Sequence, residues 1–226
     1  MGQHILPGNP PIEVTLRRSA QARRISLRVS ALDGRVTLTL PKGLAEREAL
    51  DFARSKREWL AGHLADRAPE VIVAPGASIP VEGQMLRIEE GRGRRVTCAE
   101  GSLQVPGGDA ARLQAWLKTL ARDRLAAASD RYAAELGRRY ARITLRDTRS
   151  RWGSCSSSGG LRYSWRLIMA PAGVLDYVAA HEVAHLEQMN HSPAYWAIVA
   201  RLMPDYQSHR KWLRQSGTAL HRYRFD

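Results

Sequence analysis

The segment His181-Glu182-Val183-Ala184-His185 constrains this chain more than any other stretch of it. Val174, Leu175, Val178 and Ala179 precede the two histidines and mark the segment as part of a buried helix. At about 100° per residue, His181 and His185 fall about 40° apart on one helix face and one turn along it, so both imidazoles reach a single point. A third imidazole is available from His191. Six residues beyond His185, it falls about 120° off that face if the helix continues. The helix must therefore stop between them. Asn190 predicts a left-handed helix stop, and Ser192-Pro193 reads as an N-cap followed by proline at the first position of a new helix. Three neutral imidazoles around one metal ion leave a fourth position open, the arrangement of a catalytic rather than a structural zinc. Glu182 then stands where it can act on zinc-bound water instead of binding the metal.

The rest of the chain predicts an α+β protein. Alternating segments at Ile12–Leu16, Ile25–Val29 and Arg35–Leu40, the last after an Asp33-Gly34 turn, read as strands. A helix is expected from about Glu46 to Ala65, then two hairpins, Ser78–Val81 with Met85–Glu89 and Arg95–Cys98 with Leu103–Val105. Pro106-Gly107-Gly108 is the strongest break in the sequence. It predicts a small β-rich N-terminal region with one helix over residues 1–108 and a metal-binding domain over 109–226. Within the second part, Asp109 caps a helix running to about Arg139, and strands at Ile143–Leu145 and Leu161–Ile168 flank a loop from Thr148 to Ser156. Helices at about Ala172–Gln188 and Pro193–Leu202 carry the histidines.

No apolar run approaches the roughly 20 residues needed to span a bilayer, and the N-terminus lacks the charged and apolar regions of a secretory signal. Cys98 and Cys155 form no CxxC pair, which excludes a disulfide scaffold and predicts a cytoplasmic protein. Cys155 is read as a small turn residue and not as a ligand, and His209 and His221 as surface or tail histidines. The oligomeric state is not encoded in any recognisable pattern.

The six-residue step from His185 to His191 is that of the metzincin proteases, but their pattern requires glycine where this chain has Gln188. A broader likeness extends over roughly residues 110–215. Arg149-Ser150-Arg151-Trp152-Gly153-Ser154-Cys155-Ser156, Trp165-Arg166-Leu167-Ile168, Pro171, Leu175-Asp176-Tyr177-Val178, His181–His185, Asn190-His191-Ser192-Pro193 and Trp196 together resemble the YgjP-like metal-dependent hydrolases. These are related to the SprT- and WLM-type zinc metallopeptidases. That resemblance implies a zincin-like hydrolase domain, one zinc ion per chain held by His181, His185 and His191, and Glu182 as general base. The family pattern usually has asparagine where this chain has Ser164.

The charge bears on the substrate. The chain carries 35 Lys and Arg against 22 Asp and Glu, and all but four of the cations are arginine. Residues 109–226 hold +9 of the net +13. Arg149 and Arg151 lie in the loop before the metal helix. Strand alternation puts Arg162, Ser164 and Arg166 on one face, with Tyr163, Trp165 and Leu167 in the core. If these four arginines face the metal, they can hold a substrate carboxylate or phosphate. The first expectation is a zinc metallopeptidase acting on peptides. The same site could instead hydrolyse an anionic small molecule, as a metal-dependent nucleoside triphosphate pyrophosphohydrolase. A nucleic-acid-associated protease is a third possibility, motivated by charge and without a recognition motif; no membrane association is expected.

Overall fold

A computed structural model describes residues 2–30, 33–65 and 69–225 of the chain. By its internal contacts the chain divides into two compact units, Met1–Pro69 and Glu70–Asp226.

In the first unit, β1 (Gly2–Leu6), β2 (Ile12–Ser19), β3 (Ser26–Val29) and β4 (Val36–Pro41) form one sheet in the order β1-β2-β4-β3. β2 and β4 are parallel, and the other pairings are antiparallel. Alternation buries Val14 and Leu16 of β2 and Val36, Leu38 and Leu40 of β4. Ala49 and Ala53 of α1 (Glu46–Ser55) and Leu60 of α2 (Arg57–Ala65) complete this core. The single helix expected over 46–65 is thus two, divided at Lys56.

The second unit begins with β5 (Val71–Ile72), followed by β6 (Ser78–Val81), β7 (Gln84–Gly91), β8 (Thr97–Ala99) and β9 (Ser102–Pro106). The last four make a sheet in the order β6-β7-β9-β8. The boundary expected at 108/109 is not where the chain divides. Ile79, Ile88, Leu103 and Val105 from this sheet share one core with Leu113 and Leu117 of α3 (Ala110–Glu135). Pro106-Gly107-Gly108 is therefore a tight turn inside the unit, with Gly107 and Gly108 at φ 65° and 63°. Asp109 caps α3 as expected, its carboxylate accepting from the N–H groups of Ala111 and Arg112 at 2.8 and 3.2 Å.

Beyond α3 lies a three-stranded sheet in the order β10-β12-β11, from β10 (Arg142–Arg146), β11 (Gly153–Cys155) and β12 (Gly160–Ser164). β12 runs parallel to β10 and antiparallel to β11. The expected strand Leu161–Ile168 ends at Ser164, and Trp165–Met169 forms a fully buried 3-10 turn. Three helices follow, α4 (Ala172–Ala184), α5 (Pro193–Leu202) and α6 (Tyr206–Ser216). The chain ends in a 3-10 turn, Gly217–Arg222, and β13 (Tyr223–Arg224), which pairs in parallel with β5. Among the described residues no helix is long and apolar enough to cross a membrane.

Candidate metal centre

α4 is apolar nearly all round, burying Val174, Leu175, Tyr177, Val178, Ala179, Ala180, Val183 and Ala184. A helix buried on all sides can present polar groups only to a prepared pocket. His181, Glu182 and His185 are the polar groups at its end. The chain turns after Ala184, and His191 returns to the same place: one ring nitrogen from each of His181, His185 and His191 lies within 4.8 Å of the other two. The Nε2 atoms of His181 and His191 are 3.2 Å apart.

The break that makes this possible differs from the one expected. Asn190 is not left-handed; among the described residues only Glu82 and Glu100 are non-glycine residues with positive φ. The turn is closed instead by side chains. Asn190 Oδ1 accepts the Ser192 N–H at 3.2 Å, and Ser192 Oγ accepts the Tyr195 N–H at 3.3 Å, which caps α5 with Pro193 in its first turn. Gln188, where a metzincin has glycine, contributes its backbone. Its carbonyl accepts the His185 Nδ1–H at 2.9 Å, which leaves the His185 Nε2 lone pair for the cluster. The buried Tyr195 hydroxyl donates to the His181 carbonyl at 2.9 Å and fastens α5 to the ligand helix.

The donor set fits a divalent metal ion. Two nitrogens at about 2.0–2.1 Å from one tetrahedral ion stand about 3.3–3.4 Å apart, close to the observed separation of His181 and His191. Burial, then the neighbouring His185, His191 and Arg210, push His181 down to about 3, so its imidazole is neutral, as a ligand must be. Burial also lowers His185.

Glu182 is outside this cluster and is held from the opposite side by β11. The carboxylate packs on Gly153: a Cβ there would stand 2.5 Å from Oε1 and 2.6 Å from Cγ. Glycine is needed at 153 for this approach, not for a left-handed backbone. Burial raises the Glu182 carboxyl to about 8, while Arg151 and the Cys155 backbone N–H pull the other way. Gly153 and Cys155 belong to the short strand β11. Trp152 itself packs against Gly217 and His221. His221 is accordingly no free tail histidine; burial lowers it to about 4.

The four arginines separate. Arg151 and Arg162 line one cavity of about 430 Å³ with Arg146, Thr148 and Ser150. Arg149 is exposed, does not line that cavity, and exerts its charge on His221. Arg166 faces inward. Because the strand stops at Ser164, period-two alternation no longer applies at 166, and the side chain is 8% exposed. Its guanidinium donates to both oxygens of Asp147 at 2.7 and 3.0 Å and to the carbonyls of Leu220 and Tyr223, each at 3.1 Å. That is a structural clamp, which engages four of the five guanidinium N–H groups and buries the side chain. Ser164 is fully buried, and its hydroxyl has no partner among the described residues.

Sequence reasoning missed Gly153, Tyr195, the Gln188 carbonyl and Arg210. Arg210, on α6, lies 4.4 Å from the centre of the Trp196 ring, which stacks on His191 at 5.8 Å. Cys155 is absent from the ligand cluster, and burial together with Glu182 raises its thiol to about 11.

A family model described as a YgjP-like metallopeptidase domain matches residues 23–216. No curated protein and no solved structure matches the chain. The match covers both the histidine cluster and the strand that seats Glu182, and the chain belongs to the YgjP-like metallopeptidase family of metal-dependent hydrolases.

Proposed function

We propose that the protein is a zinc metallopeptidase in which Glu182 is the general base. One observation carries this reading: a buried carboxylate, held in place by Gly153 and the Cys155 N–H, stands next to three histidine nitrogens without joining them. Three nitrogen donors and no thiolate in the cluster favour zinc with an open position. When bound, zinc supplies Lewis acidity, bringing a water towards ionisation near neutral pH and polarising a carbonyl. Glu182 takes the proton as the water oxygen bonds to the peptide carbonyl carbon. As the C–N bond breaks, Glu182 returns that proton to the departing amine. Gly153 and Cys155 hold the carboxylate in line for both transfers, and the Gln188 carbonyl keeps His185 in the ligating tautomer. The Tyr195 hydroxyl, committed to the His181 carbonyl, positions the helix and does not contact substrate.

A second reading has its own support. Arg146, Arg151 and Arg162 around one cavity could equally hold phosphates, which suits hydrolysis of a nucleoside triphosphate to pyrophosphate. The test is a substrate screen on the zinc-loaded protein, with casein-derived peptides and a panel of nucleoside triphosphates. Peptide turnover that Glu182→Gln abolishes while about one zinc per chain is retained is the expected result. Turnover of nucleotides alone would replace the first reading with the second, and a fully active Glu182→Gln would refute both.

A further inference from the structure

Arg146 lines two cavities. One is the cavity of about 430 Å³ that it shares with Arg151 and Arg162. The other, of about 490 Å³, lies between α3 and β10 and is lined by Lys118, Thr119, Arg122, Leu145, Asp147 and Trp165 as well as Arg146. Lys118 and Arg122 are one turn apart on α3, which places both on the same helix face. The two cavities together present five exposed cations: Lys118, Arg122, Arg146, Arg151 and Arg162. Among the described residues none of the five has a carboxylate within ion-pair distance. The one carboxylate in the two linings, Asp147, is committed to Arg166. Other arginines of this unit are matched, Arg124 with Glu82 and Arg131 with Asp176. What sets these five cations apart is that they line two cavities sharing Arg146, the smaller of which is also lined by Gly153, the residue on which Glu182 packs.

We infer that these five cations form an extended subsite for an acidic peptide segment, so that the enzyme prefers substrates with several Asp or Glu residues on one side of the cleaved bond. The inference rests on the peptidase reading above and adds the substrate class. An extended peptide advances about 3.3–3.6 Å per residue, so a run of acidic side chains can meet cations from successive segments, the loop before β11, then β12, β10 and α3. A triphosphate is served by the three arginines of one cavity, which leaves Lys118 and Arg122 without a role. A nucleic-acid strand calls for exposed aromatic rings on which bases stack. The only aromatic rings lining these cavities, Tyr163 and Trp165, are both 1% exposed.

The test uses the full-length zinc-loaded protein and fluorogenic peptides that share one cleavable core. The core is flanked, on either side in turn, by two acidic, six acidic or six glutamine residues. The expected result is that kcat/KM on one six-acidic series exceeds the glutamine series by at least about tenfold at low salt, with the gap closing by 0.5 M salt. In Lys118→Ala/Arg122→Ala, the ratio of six-acidic to two-acidic kcat/KM should fall about fivefold. In Arg146→Ala, the acidic-to-glutamine ratio should fall at both lengths. Equal rates on acidic and glutamine flanks would overturn the inference while leaving the peptidase reading intact. Should no peptide be cleaved, binding decides separately: fluorescence anisotropy of a labelled six-acidic peptide on Glu182→Gln. Binding there that Lys118→Ala/Arg122→Ala weakens supports the subsite even if the peptidase reading fails. No binding, or displacement of the peptide by oligothymidylate at lower concentration than by unlabelled acidic peptide, would overturn the assignment.

Discussion

Gly153→Ala adds one methyl group and should nearly silence the enzyme while leaving its metal in place. The new Cβ would stand 2.5 Å from Glu182 Oε1, 2.6 Å from Cγ and 2.8 Å from Cδ. Ordinary contact begins near 3.4 Å, so the three atoms must retreat by about 0.6–0.9 Å. Glu182 is 4% exposed, and its helix is packed on all sides, so the retreat comes from the side chain. It moves off the Cys155 N–H and out of line with the reacting water. A misplacement near 1 Å costs on the order of 10²-fold in rate. Overpacking of this kind costs about 1–3 kcal/mol of stability. No strain is added through φ, because Gly153 does not occupy the left-handed region. The assay is kcat/KM on the best substrate from the screen, with zinc content and a thermal melt on the same preparation. Gly62→Ala is the control: a Cβ there meets nothing within 4 Å in α2, so it should gain up to about 1 kcal/mol with activity unchanged. A Gly153→Ala protein with full zinc and wild-type kcat/KM would refute the account of how Glu182 is held.

Replacing His181, His185 or His191 with Ala should reduce bound zinc to well below one per chain, measured by elemental analysis, with a loss of thermal stability that chelators reproduce in the wild type. Arg166→Ala should cost about 1–3 kcal/mol by urea unfolding, since it leaves the Leu220 and Tyr223 carbonyls unmatched while the exposed Asp147 is rehydrated, and Arg166→Lys should recover only part of it. Burial raises the Asp147 carboxyl, but the Arg166 hydrogen bond and charge outweigh it and hold the group below its ordinary 3.8. This contribution is present above pH 3.8 and lost as pH falls through the lower folded value, so Asp147→Asn should flatten the acid limb of the stability curve. Tyr195→Phe removes one hydrogen bond to the His181 carbonyl and should cost about 0.5–1.5 kcal/mol while zinc is retained.

The histidine cluster was legible because it is local. His181, His185 and His191 span eleven residues, helix geometry pairs the first two, and only a chain break after His185 is needed to return the third. The seat of Glu182 was not legible in the same way, because it depends on a strand about thirty residues earlier, formed by pairing β11 with β12. Arg166 shows why alternation misleads at the end of a strand: one change from extended to 3-10 backbone after Ser164 turned an expected surface cation into a buried clamp. Pro106-Gly107-Gly108 was misplaced as a boundary because a tight turn inside a core and a linker between domains use the same residues. α6 escaped notice because none of its residues is fully buried, and with it went Arg210 beside the histidines.

The division of labour between α4 and β11 has a consequence for the newly made chain. On the proposed reading all three ligands lie in one short stretch, so the metal site is local to α4 and the turn that follows it. Alignment of Glu182 needs β11 docked beside β12, a long-range event in folding. On that reading a partly folded molecule that holds an ion would stay inert until the sheet closes over the carboxylate. Ion loading and competence would then be separate milestones, and a preparation fully charged with metal would not thereby be an active one.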